Sequence, residues 1–243
     1  HLGLQVDQAG APARLLARLT DHHGSRFDLL NSGPRDADPR QRALSATIDW
    51  SYLLLNGPEQ RFLRRMSVFA GGCDLEGAAA VCLDSTNEKL LDIAAAETAL
   101  QSLLDKSLAY ETEGLDGAPR FRLLESVREY ARLRLAENAE TDPTHRRLTA
   151  HLNALGDAAR PYEPTADTFF WMKRIASERD NVAAALAWCR TLAGEYAQGL
   201  RLAGRIGWVT LWAPLWDLLV PFPDGACWLD GLETRIQELP IGE

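Results

Sequence analysis

The sequence predicts a mostly α-helical chain with one small β hairpin, ending in a stack of helices. Three observations predict it. Alanine and leucine dominate a composition that is 46% hydrophobic and 25% charged, which favours helices in a globular protein. Residues 99–131 read as helix, strand, turn, strand, helix. Beyond residue 143, apolar side chains recur at helical spacing with no further strand signal. At 243 residues the chain has room for about two domains.

In order along the chain, Pro12 to Leu30 reads as a helix with Leu15, Leu16 and Leu19 on one side, broken near Gly24. Asn31 to Pro39 is a loop in which Asp36 and Asp38 read as turn residues rather than a paired-acid site. Arg40 to Leu55 is expected to be an amphipathic helix with Leu44, Ile48, Ser51 and Leu55 on a shared face. Asn56-Gly57-Pro58 ends it and opens the next, with Pro58 at the favoured first helical position. That helix, Glu59 to Met66, is expected to bury Phe62 and Leu63. Arg61, Arg64 and Arg65 are expected to form a solvated face, the alternative being a site for phosphate or an acidic partner.

Ser67 to Gly72 is a short extended link, and Asp74 stands where it can cap a helix from Leu75 to Leu83. Asn87 to Lys106 holds one or two more helices. Leu100, Leu103 and Leu104 share a face, and Lys106 closes the last helix with a favourable charge against its dipole. Ser107 to Glu111 has room for a strand, Glu113 to Pro119 supplies a turn with two glycines and a proline, and Arg120 to Leu123 returns. Leu124, Val127, Ala131 and Leu135 then recur at helical spacing. Helix, helix, helix, hairpin, helix is the order of a winged-helix domain.

A boundary is expected at Glu140-Thr141-Asp142-Pro143. After it, Ser177-Glu178-Arg179-Asp180 resembles a capping box with Asp in place of Glu, followed by a stripe of Val182, Ala185, Leu186, Cys189 and Leu192. Ala197 to Trp212 sets Leu200, Ala203, Gly204 and Gly207 on one side, small enough for a neighbouring helix to approach closely. Five of seven tryptophans lie between Trp188 and Trp228 and are expected to fill a core; the 40-residue interval hints at a helix-pair repeat.

Charge and chemistry narrow the function. Residues 67–142 carry seven Lys/Arg against fifteen Asp/Glu, whereas a reader of duplex DNA needs a basic face against the phosphates. At the recognition-helix position, Glu97 to Lys106 offers only Gln101 and Ser102 as base readers. The four cysteines (Cys73, Cys82, Cys189, Cys227) have no metal or disulfide spacing and read as buried small side chains of a cytoplasmic protein. No phosphate loop or nucleophile elbow is present. His1, His22, His23, His145 and His151 lack the spacing of metal ligands. The apolar run from Ile206 to Phe222 is too short and too interrupted to span a membrane. No self-sufficient active site is expected, and the chain reads as a piece of something longer.

Several segments together carry a family resemblance: Leu44 to Leu55, Leu63 to Gly72, Leu103 to Leu108, Arg120 to Ala131 and Glu178 to Trp188. Over roughly residues 12–235 the chain resembles the region downstream of the nucleotide-binding core in bacterial signal-transduction ATPases of the NB-ARC/STAND class, the large LuxR-type and SARP-type transcriptional regulators. The resemblance implies three parts: residues 1–55 as the end of the helical domain after the ATPase core, 56–141 as the winged helix, and 143–243 as the start of a tetratricopeptide-like (TPR-like) array. It implies a winged helix that closes over the nucleotide and autoinhibits the core. ATP or ADP with Mg would be bound in the parent protein, and a protein or small-molecule signal on the array. DNA would then be met through another domain. The alternative is a DNA-binding winged-helix transcription factor. The family's Met-His-Asp motif corresponds here to Leu123-Leu124-Glu125, so the histidine that would touch the phosphate is Leu124. The nucleotide-proximal residues carried over are Arg122, Leu124, Glu125 and Arg128.

Overall fold

The structure, a computed structural model, describes residues 39–84, 91–159, 168–191 and 195–212, with the side chains at 39–44, 168–169 and 207–212 outside that description. The expected helix at 12–30, Asp36, Asp38, the His22–His23 pair, Cys227 and the side chains of the tryptophans beyond Trp188 lie outside the described residues.

Helix α1 runs from Pro39 to Leu53. Ile48, Tyr52 and the following Leu55 are buried, while Trp50, Leu53 and Leu54 on the other side are exposed. Helix α2, Gly57–Met66, starts two residues before the expected Glu59 because Asn56 closes a full capping box with Glu59. Helix α3, Leu75–Cys82, is capped by Asp74 as expected, its carboxylate accepting from the Gly77 amide at 2.7 Å. Helix α4 spans Ile93–Asp105 and packs on α2 and α3, with Ala96, Leu100 and Leu103 in the same buried cluster as Phe62, Leu63, Met66 and Val81. Burying a side chain of this size contributes on the order of 2 kcal/mol. The chain leaves α4 through Ser107 at φ +55°, with the Leu108 amide bonded to the Leu103 carbonyl and Ser107 to Leu104, a Schellman turn with serine at the position usually held by glycine.

Strands β1, Ala109–Glu113, and β2, Pro119–Leu123, form the antiparallel hairpin. The first strand begins two residues later than expected because Ser107 is still turning out of α4. Cys73 adds a one-residue third strand, exchanging two backbone hydrogen bonds with Phe121 at 3.0 and 2.8 Å. Sequence pattern marks the stretch before it only as an extended link. Gly72 has φ +74°, and a Cβ there would stand 2.5 Å from Arg122 Cγ and 2.7 Å from the Phe121 carbonyl. Only glycine fits.

Helices α5, Glu125–Glu137, and α6, Thr141–Ala158, follow, joined through Ala139 at φ +54°. Helices α7, Thr168–Ser177, α8, Arg179–Thr191, and α9, Tyr196–Trp212, complete the described array. Val182, Ala185, Leu186 and Cys189 of α8 are buried as expected. In α9 the buried side chains are Tyr196, Leu202 and Ile206, and Gly204 has nothing within 4 Å of a notional Cβ. The close approach lies instead at Gly156 of α6, where a Cβ would meet Arg205 Cβ at 3.0 Å. Helix α6 packs on α3 as well as on α8 and α9. One apolar cluster therefore runs unbroken from Ile48 to Ile206. No described helix is long and apolar enough to cross a membrane.

Candidate functional site

Two faces of the winged-helix unit could carry function: the outward side of α4 and the wing with its surroundings. Because α4 spends Ala96, Leu100 and Leu103 on the core, it turns Ala94, Glu97, Thr98, Gln101 and Asp105 to solvent. Gln101 Nε2 donates to Asp105 Oδ1 at 2.8 Å, and the Ser102 hydroxyl donates to Glu59. Both side chains expected to read bases are thus engaged within the domain. Lys106 reaches Ser102 and lies 3.5 Å from Glu59. Ser102, then the Asn56 amide and Lys106, hold the Glu59 carboxyl below its ordinary value despite partial burial. The outward face of α4 is acidic, with its nearest cation paired.

The wing exposes Tyr110 and Leu115, together with Glu111 and Glu113. Its cation Arg120 turns inward and is only 4% exposed. There it meets Glu178, which ends the turn from α7 into α8, at 2.5 Å, and donates to the carbonyls of Gly72 at 2.7 Å and Gly71 at 3.4 Å. Asn181, fully buried, accepts from the Gly71 amide at 3.0 Å and donates to the Gly72 carbonyl at 2.8 Å and to Glu178 at 2.6 Å. Burial pulls the Arg120 guanidinium down, but the Glu178 carboxylate outweighs it and the net direction is up. Ser177, expected to cap a helix, instead accepts from the Leu115 amide at the wing tip at 3.0 Å. Arg174 joins Asp74 and Glu76 at 2.6 Å each and lies 3.8 Å from Asp116. A cleft of ≈ 280 Å³ sits between Ile93 of α4, Asp74 and Glu76 at the start of α3, Pro119 of the wing and Arg174.

The four residues carried over from the resemblance are placed as follows. Leu124 is the N-cap of α5, half exposed, and makes no side-chain cap bond. Glu125 and Arg128 face each other across one turn at 3.1 Å. Arg122 stands opposite Tyr110 in the hairpin, its stem over Gly72 and its buried Nε without a partner among the described residues. So Glu125 and Arg128 come together, while Arg122 belongs to the wing sheet. Among the described residues no group of acids, cysteines and histidines could hold a metal ion.

The arginine triplet of α2 is the clearest correction. Arg64 and Arg65 are each only 8% exposed. Arg64 pairs with Glu140 at 2.8 Å, Arg65 with Asp84 at 2.8 Å and Glu140 at 3.5 Å, and Arg147 with Asp84 at 2.9 Å. Arg61 alone is half exposed, and it too reaches Asp84. The hydrogen bonds from Arg147, Arg65 and Arg61 overcome burial and hold the Asp84 carboxyl well below its ordinary value. The triplet ties α2 to the end of α3 and to the α5–α6 corner. His145 is stacked on Trp188, ring centroids 5.3 Å apart; burial, then the charge of Arg132, lower its pKa to about 4. Cys73, Cys82 and Cys189 are buried free thiols, as expected.

Sequence reasoning missed Arg120, Arg174, Ser177, Glu178 and Asn181 as a set. The segment from Glu178 carries part of the family resemblance, but nothing local says that its partner is 58 residues upstream.

Residues 55–136 match the winged helix-turn-helix domain model, the span of α2 to α5. A Mycobacterium tuberculosis (H37Rv) protein named "Putative HTH-type transcriptional regulator" is 34% identical over 242 residues, 98% of this chain and 26% of the relative, and a Mycobacterium bovis protein of the same printed name matches equally. An uncharacterized M. tuberculosis protein is 36% identical over 150 residues, 62% of this chain and 36% of that protein. The chain thus spans about a quarter of the first relatives' length. No solved structure gives a significant match.

Proposed function

We propose that this chain is the winged helix-turn-helix section, with the first helices of an adjoining array, of a longer transcriptional regulator. The observation that carries this reading is the coincidence of the domain match with the fold over the same span: α2, α3, α4, the Cys73–Phe121 bridge and the β1–β2 hairpin. Of the two functions expected from sequence, the printed names of the relatives favour the DNA-binding winged helix over closure of an ATPase core. In that reading α4 lies toward the duplex with the wing beside it. Its two outward carboxylates, Glu97 and Asp105, repel phosphate, so attraction to the backbone has to come from cations of this chain that lie off that face. A mobility-shift assay of this chain with random duplex at low salt tests it. A shift that weakens as salt rises supports the reading, and an unshifted duplex at every protein concentration overturns DNA binding by this chain.

A second reading rests on one observation, the acidic sign of that same face. In it the winged helix regulates the protein from within: it folds over a nucleotide-binding core elsewhere in the polypeptide, with Arg122, Glu125 and Arg128 nearest to ATP or ADP and its Mg, and the array receives a protein or small-molecule signal. DNA is then met through another domain. Unchanged ADP affinity of the longer protein after Arg122→Ala and Arg128→Ala removes this reading.

A further inference from the structure

We propose that the turn from Glu178 to Asn181 is a latch by which the helical array sets the position of the wing. Four side chains of the array reach the hairpin and the strand beside it. Glu178 holds Arg120 of β2, Asn181 holds both Gly71 and Gly72, Ser177 holds the amide of Leu115 at the wing tip, and Arg174 lies near Asp116. Arg120 binds Glu178 and the Gly72 carbonyl with the same guanidinium, and Asn181 binds Glu178 and that same carbonyl. These contacts form one network, in which a shift of Glu178 unsettles every member.

Packing makes the joint specific. A Cβ at Gly71 would stand 3.2 Å from Asp180 Cβ, so the α8 turn seats closely on a backbone without side chains. Gly72 next to it already contacts Arg122 and Phe121. Strand β2 is therefore bonded to β1 on one edge, to Cys73 on the other, and to the array through Arg120. A ligand or partner that tilts α7 and α8 moves β2 directly, with no intervening element.

Arg120 Nε is buried without a hydrogen-bond partner among the described residues. The latch holds the wing whether the winged helix meets DNA or another part of its own polypeptide, so it stands apart from the function proposed above.

Hydrogen exchange on the whole chain tests it without reference to DNA. In a Glu178→Ala/Asn181→Ala variant, the wing amides of Thr112, Gly114 and Phe121 are expected to exchange about tenfold faster or more, while those of Leu103 and Leu104 in α4 change less than about twofold, the pattern of local release. Unchanged wing protection overturns the proposal, and so does equal acceleration of wing and α4, which marks general destabilisation. Should the double variant not fold, Glu178→Gln keeps the shape and removes the charge. The same uneven acceleration is expected of it, and an even or absent one overturns the latch.

Discussion

The seat of the wing and the outer face of α4 use the same chemistry to opposite ends. At the seat, Arg120 and Glu178 are each 4% exposed and neutralise each other among backbone carbonyls. On α4, Glu97 and Asp105 stand in water, the latter meeting only a neighbouring glutamine. A charge removed from water has to be matched at the moment of folding, so the first set is tied to the architecture. A charge left in water is tied to nothing, and only such a face is open to a partner. The winged helix therefore meets the helical array through a buried, matched joint and presents an unmatched acidic surface outward.

The largest expected effect probes the buried side. Glu178→Ala leaves Arg120 buried and unpaired and is expected to lower the free energy of opening the wing by about 3–5 kcal/mol, read from the exchange rates of the wing amides. Replacing both partners with apolar residues, Arg120→Met with Glu178→Leu, is expected to recover most of that loss. A single substitution costing under about 1 kcal/mol, the range of an exposed pair, would erase the distinction between the two regions.

The next effect is one of pH, and it too belongs to the interior. His145 has a folded pKa of about 4, below its ordinary 6.5, through burial first and the charge of Arg132 second, with Asp142 acting weakly the other way. Between these values the unfolded chain binds the proton and the folded one does not. The contribution of His145 is therefore fully present above pH 6.5 and is lost as pH falls toward 4, by about 3 kcal/mol in all. From denaturant melts at pH 7 and pH 4, the loss of unfolding free energy on acidification is expected to be larger in the wild type than in His145→Gln by about that amount. Parallel pH dependences would mean that the Trp188 stack leaves the ring open to water.

The smallest effect on stability, and the most telling for function, lies on α4. Glu97→Lys is expected to change stability by less than about 0.5 kcal/mol. If the face lies toward a duplex, each new phosphate contact steepens the salt dependence of binding by about 0.9 in log–log slope. A destabilisation of several kcal/mol would show that the outer face is bound into the fold no less than the wing seat.

What was legible in the sequence follows the range of the forces involved. The cap at Asp74, the helix break at Asn56-Gly57-Pro58 and the hairpin turn depend on neighbours within a few residues, and they were readable to within about two positions. Arg64 and Arg65 were misread because helical spacing reports which residues share a side, not what covers it. Their counter-charges, Asp84 and Glu140, are close only after folding. Ser177 was misread for a related reason: a hydroxyl near a helix start can cap it, but the wing tip, 62 residues upstream, offers an amide instead.

By itself the sequence determined the helical class, the place of the hairpin and the sign of charge on the winged unit, because propensity, turn chemistry and net charge act locally or simply add. Tertiary structure alone decided which charges are buried and with whom, that Cys73 completes the sheet, and that the array holds the wing. Those outcomes depend on pairings between residues distant in the chain, which no local pattern encodes.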